Sequence, residues 1–106
     1  MPWPKLDSYQ ACLDALNGRQ HRKVYRNTKL VQANDGIELY YHDNLVALRS
    51  HDLLWLSSCG WRTLTTKQRI NWMLPRGYHL FSSHYAWYLE TPAGIISFTD
   101  GMVLYV

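Results

Sequence analysis

Asn34-Asp35-Gly36-Ile37-Glu38-Leu39-Tyr40-Tyr41-His42-Asp43-Asn44-Leu45-Val46-Ala47-Leu48-Arg49-Ser50-His51-Asp52-Leu53-Leu54-Trp55-Leu56-Ser57 is the stretch that decides the fold. It holds three short runs, 37–42, 45–50 and 53–57, rich in branched and aromatic residues. Such runs suit a pleated, half-buried surface and are too short for typical helices. Asn34-Asp35-Gly36 is a hairpin turn, because glycine accepts positive φ at no steric cost. Asp43-Asn44 and His51-Asp52 are two further breaks. Connections this tight join antiparallel neighbours, since a parallel crossover needs about a dozen residues or more.

Working outward, residues 24–32 form one more strand before this stretch, and residues 78–82, 84–90, 95–99 and 102–106 read as four strands after it. Ser82-Ser83, Thr91-Pro92-Ala93-Gly94 and Asp100-Gly101 supply their turns. Two segments have helical character. In residues 7–17 the apolar side chains Leu6, Tyr9, Leu13 and Leu16 recur on one face, with Asp7 as N-cap and Gly18 just past the end. In residues 66–74, Thr65 and Gln68 form a capping-box pair, and Pro75 and Gly77 stop the helix. The expected architecture is α+β: helix, four-strand meander, helix, four-strand meander. That gives about eight mainly antiparallel strands in a single domain over residues 1–106, with one or both helices covering an open sheet face.

Composition narrows the classes. Of 106 residues, 47% are apolar and 18% charged, which excludes a disordered tail. No apolar run approaches the roughly 20 residues of a membrane-spanning helix. The opening Met1-Pro2-Trp3-Pro4 lacks the basic start and apolar core of a signal peptide. Cys12 and Cys59 are too few for a disulfide framework and read as free thiols in a reducing cytoplasm, a single bridge between them being the alternative. Aromatics make up 14%, more than a core of this size needs, so some should reach the surface.

Net charge is +3 and unevenly laid out. Residues 19–34 carry Arg19, Arg22, Lys23, Arg26 and Lys29 and no acid; residues 53–89 carry Arg62, Lys67, Arg69 and Arg76, several tryptophans and no acid. Segregated cations of this kind suit an anionic partner, unless folding mixes them with the acids. On a helical wheel, Thr66, Ile70, Met73 and Leu74 share one face of the second helix, while Gln68, Arg69 and Trp72 fall opposite. With the first face on the sheet, Trp72 is outward beside Arg69, and Arg76 follows past the helix end; the alternative is that another element covers Trp72. The loop Cys59-Gly60-Trp61-Arg62 feeds the same helix. Its N-terminal N–H groups, with Arg62 and Lys67, can hold a phosphate or carboxylate, or Trp61 simply plugs the core.

Catalytic chemistry has little support. His21, His42, His51, His79 and His84 show no metal-ligand spacing, so no metal or cofactor is expected. Asp35, Asp43, Asp52 and Asp100 sit at turns, where aspartate serves the backbone. Cys59 and His51 are the one conceivable nucleophile–base pair, with nothing to orient it.

The run Gly60-Trp61-Arg62-Thr63-Leu64-Thr65-Thr66-Lys67-Gln68-Arg69-Ile70-Asn71 resembles a segment, G-G-W-R-T-V-T-T-K-x-R-[IM]-N, of a group of small bacteriophage and environmental proteins. Gly18-Arg19-Gln20-His21-Arg22-Lys23-Val24-Tyr25-Arg26-Asn27-Thr28-Lys29-Leu30 is similar to an earlier motif of that group, and Leu80-Phe81 with Trp87-Tyr88-Leu89 to a third. Cys59 stands where the group has its first glycine, so the loop is expected to differ in conformation or to carry an additional thiol. The resemblance implies a phage or mobile-element origin and life in the cytoplasm of a bacterial host. It implies no activity.

Three functions fit these observations. The first is a non-enzymatic accessory protein binding nucleic acid through a basic, aromatic surface, with Arg19, Arg22, Lys23, Arg26, Lys29, Trp61, Arg62, Lys67, Arg69, Trp72 and Arg76 as its candidates. The second is an inhibitor or adaptor that binds a host protein through Trp61, Trp72 and Arg69. The third is a homo-oligomeric structural piece whose exposed aromatics bury one another.

Overall fold

The computed structural model describes residues 3–106. The chain forms α1 (Tyr9–Leu16), β1 (His21–Tyr25), β2 (Thr28–Ala33), β3 (Gly36–Tyr41), β4 (Asn44–Arg49) and β5 (Leu53–Leu56). Then follow α2 (Leu64–Met73), β6 (His79–Ser83), β7 (Ala86–Thr91), β8 (Gly94–Ser97) and β9 (Met102–Tyr105). The fold is α+β, as expected, with every strand pair antiparallel.

Two departures from the sequence expectation shape it. Residues 24–32 are not one strand. Asn27 adopts φ 51° and the chain reverses between Tyr25 and Thr28, splitting the run into β1 and β2. Asparagine tolerates this left-handed conformation better than most residues. Second, the last strand leaves its meander. The strand orders are β1-β2-β3-β4-β5-β9 and β6-β7-β8, so the C-terminal strand returns to close the larger sheet. Leu104 then sits beside Leu54 on the core face. Nine strands result, in a six-stranded and a three-stranded sheet.

The turns follow from backbone sterics. His42-Asp43 (φ 50° and 64°) and His84-Tyr85 (φ 51° and 67°) each place two successive residues at positive φ. That is the geometry of the type I′ turn, whose twist matches that of the flanking strands. Both turns lie one or two positions from where composition put them. Gly36 is obligatory for a second reason: a Cβ there would collide with the backbone carbonyl of Arg49.

Both helices start on hydroxyl caps other than the expected ones. Ser8, not Asp7, caps α1, its Oγ accepting from the Ala11 N–H at 3.0 Å. Thr63, not Thr65, caps α2, its Oγ1 accepting from the Thr66 N–H at 3.2 Å. Asn17, in the left-handed conformation, ends α1. No helix among the described residues is long and apolar enough to cross a membrane.

The core gathers Leu6, Cys12 and Leu16 from the α1 region, Leu30, Ile37, Leu39, Ala47, Leu54 and Leu56 from the larger sheet, Ile70 and Met73 from α2, and Leu80 and Leu89 from the smaller sheet. The Cys12 thiol lies 3.8 Å from the Met73 sulfur, which places both helices on the same face of the larger sheet. Burial pushes this thiol up to about 12; Arg49 works against the rise and Asp7 adds to it. Cys59 is exposed, and both cysteines are free.

Candidate functional site

The 61–72 run does not lie with one face on the sheet and the other in water. Helix α2 is covered on a second side by the β1–β2 hairpin, and this reverses the expected exposure of two residues. Arg69 is only 4% exposed and Trp72 only 8%. Tyr25 meets Trp72 edge-on at 5.1 Å, and the Trp3 ring lies 6.2 Å from it. The Arg69 guanidinium sits 4.4 Å from the ring centre of Tyr41, 4.8 Å from Trp72 and 5.4 Å from Tyr25. Its Nε donates to Thr28 Oγ1 at 3.1 Å, Nη2 to the Arg26 carbonyl at 3.2 Å, and Nη1 to Gln68 Oε1 at 2.6 Å. Among the described residues no carboxylate pairs with it. Burial disfavours the charge; aromatic faces and oxygen dipoles offset that cost. Arg69 is thus a staple joining α2 to the β1–β2 turn, and it brings two of the sequence motifs together in space.

Other residues of the run point outward. Trp61 is 62% exposed. Arg62 lies over Trp87 and Phe98, its carbon 4.9 and 5.1 Å from their centres, and its Nε donates to Ser58 Oγ at 3.0 Å. Asp100 accepts from the Ser58 N–H (2.7 Å) and hydroxyl (2.8 Å) and lies 3.7 Å from Arg62. Burial raises the Asp100 pKa, but the two Ser58 donors and Arg62 together outweigh it and hold the carboxyl below its usual value. Lys67 donates to Ser82 Oγ at 2.9 Å and faces Trp87.

Asn71 plays a part that composition did not reveal. Its side-chain amide donates to the Leu80 carbonyl at 2.9 Å and accepts from the Leu80 N–H at 2.8 Å. One side chain thereby satisfies both backbone groups of Leu80 on the free edge of β6, as a neighbouring strand would there. The only hint in the sequence is an asparagine late in a helix, where its propensity is poor.

Trp61 and the threonines of the run border a cleft of about 430 Å³, while Arg62 and Lys67 turn instead to Trp87, Phe98 and Ser82 on the smaller sheet's side. Tyr41, His42, Asn44 and Val46 line one side; Ser58, Trp61, Thr63, Thr65 and Thr66 line the other. His42 also borders a smaller groove of about 290 Å³ lined by Lys23, Asn27, Thr28, Lys29, Tyr40 and Asp43. The two hollows meet at His42 but open on opposite faces of the larger sheet, Tyr41 on the α2 side and Lys23, Lys29 and Tyr40 on the other. Lys29 is held 3.6 Å from Asp43, a solvent-exposed pair that weakens the local positive field without cancelling it. Arg26 is exposed at the adjoining turn.

The remaining candidates lie apart from this cleft. Arg22 turns back to the end of α1, donating to the Ala15 carbonyl at 2.9 Å. Arg76 borders a groove shared with Lys5, Asp7 and Asp14. Arg19 is exposed just past α1. The single basic, aromatic patch expected from the sequence is thus divided. Trp61, Lys23, Arg26 and Lys29 share one end of the molecule, while Arg69 and Trp72 are interior. The Cys59–His51 pairing is not formed either: Cys59 Sγ donates to the Leu45 carbonyl at one end of β4, while His51 stacks on Tyr9 beyond the other end. Six residues of extended chain separate them by roughly 20 Å.

Cys59 has φ 53° and Gly60 φ 81°. Cys59 thus holds a left-handed backbone of the kind glycine adopts most readily.

A fold with a basic, aromatic end and a phage-like motif at its centre points to a class of small phage proteins. Residues 7–105 match the Kyanoviridae Gp96 protein family, and the chain belongs to it. No curated protein and no solved structure matches the chain.

Proposed function

We propose that this phage protein is a non-enzymatic accessory factor that binds single-stranded nucleic acid in the cleft between the His42-Asp43 turn and the start of α2. The supporting observation is the juxtaposition of an exposed indole, Trp61, with Tyr41 and His42 across a cleft of about 430 Å³, with His42 also bordering the Lys23/Lys29 groove around the sheet's end. A base stacks on the indole, threonine hydroxyls and Asn44 meet its polar edge, and the phosphates run toward Lys23, Arg26 and Lys29. Few cations are free there, so the salt dependence is shallow: two or three phosphates give a slope of about −2 in log K against log salt.

Fluorescence anisotropy of a labelled oligothymidine at low salt tests this. Binding is expected to weaken roughly tenfold or more in Trp61→Ala, the loss of one stacked base, with the melting temperature unchanged. No anisotropy change with any single-stranded DNA or RNA at low salt would end the proposal. A second reading, a host-protein adaptor, draws on the same exposed Trp61, since tryptophan is prominent among interface anchors. It is favoured if nucleic acid does not bind while host-lysate capture is lost in Trp61→Ala.

A further inference from the structure

The free edges of the two sheets are finished very differently. β1 carries Arg22 and Lys23 and is flanked by Arg19 and Arg26, charges that discourage a further strand. The β6 edge is occupied at its Leu80 by the Asn71 side chain. β8, Gly94-Ile95-Ile96-Ser97, has neither device: it bears no charge and no proline, and all four residues are exposed.

Its register shows what is missing. The Phe98 N–H donates to the Trp87 carbonyl at 3.0 Å, so by alternation Ile96 and Gly94 bond toward β7. The N–H and C=O groups of Ile95 and Ser97 then point off the sheet. Leu80, Leu89 and Ile96 lie side by side on the core face. Leu80 and Leu89 are fully buried, but Ile96 is 46% exposed: the core row runs off the edge. The other uncharged edge, β9, differs, because its core-face residue Leu104 is already only 8% exposed.

We infer that β8 pairs antiparallel with β8 of a second copy of this chain, about a two-fold axis at Ile96. In that register Ile95 and Ser97 of one protomer bond Ser97 and Ile95 of the other. Ile96 packs on its own counterpart, and the core row runs unbroken across a six-stranded intermolecular sheet. The uncharged strand meets itself with no like charges opposed, whereas the cationic β1 edge has no such match. Four residues a side bury less than the roughly 1,200 Å² of standard interfaces, so the dimer is reversible and concentration-dependent.

Sedimentation of the full chain without nucleic acid, from about 1 μM to about 1 mM, tests this separately from the cleft proposal. A monomer–dimer equilibrium is expected, abolished by Ile96→Lys and kept by Val103→Lys on β9. Circular dichroism and melting of Ile96→Lys confirm that it folds. If that variant does not fold, Ser97→Pro, which removes one outward N–H, is used in its place. A strict monomer throughout, or a dimer that survives the edge substitution, overturns the inference.

Discussion

Arg62 and Arg69 lie seven residues apart in one motif and have opposite surroundings. Arg62 is half-exposed, stacked on Trp87 and Phe98 and shared with Asp100. Arg69 is buried among three aromatic rings with oxygen partners and no carboxylate. The same division runs through the whole segment: Arg69, Asn71 and Trp72 hold the architecture together, and Trp61, Arg62 and Lys67 face the solvent. A run this rich in cations and aromatics is therefore not a binding surface throughout.

The largest effect expected from breaking this division is at Arg69. Arg69→Ala leaves a cavity and strands the Thr28 hydroxyl and Arg26 carbonyl, and should cost about 3 kcal/mol by urea denaturation. Arg69→Lys should recover only part of this, because an ammonium cannot reproduce the planar fork. Asn71→Ala comes next, at about 1–2 kcal/mol, because it leaves the Leu80 N–H and C=O unpaired; hydrogen exchange at the Leu80 amide should accelerate in parallel. An equal loss on removing the outward Trp61 would dissolve the contrast between the two sets; Trp61→Ala is expected within about 0.5 kcal/mol of the parent.

Asp100 sharpens the outward side through pH. Its carboxyl is depressed in the folded state, so its stabilisation is present above the unfolded value of about 3.9 and is lost as pH falls through the folded one. Asp100→Asn should flatten the acid limb of the stability curve relative to the parent. The smallest effect is at Cys59. Replacement by glycine relieves a left-handed backbone and removes the thiol bond to Leu45, for a net gain of about 0.5 kcal/mol in thermal denaturation.

Much of the fold was legible because it rests on local rules. Leu6, Tyr9, Leu13 and Leu16 marked the packed face of α1, and the apolar runs around Gly36 marked the antiparallel strands. The caps slipped by one or two residues, because Asp7 and Ser8, or Thr63 and Thr65, offer the same chemistry at neighbouring positions. The site was legible only in part. A helical wheel assumes one covered face, and α2 has two, so the wheel turns Arg69 and Trp72 outward while the β1–β2 hairpin covers both, the alternative left open for Trp72. His42, Asn44 and Thr63 carry no spacing signature, and only their meeting at the cleft marks them.

By itself the sequence determined the antiparallel α+β class, the two helices and the uneven distribution of charge, since propensity, periodicity and composition act over a few residues. Tertiary structure alone decided that β9 returns to β5, that Arg69 is interior, that Asn71 meets Leu80 of β6 and that β8 stays open. These depend on which distant segments compete for the same buried surface and unpaired backbone groups, and no local pattern encodes the winner.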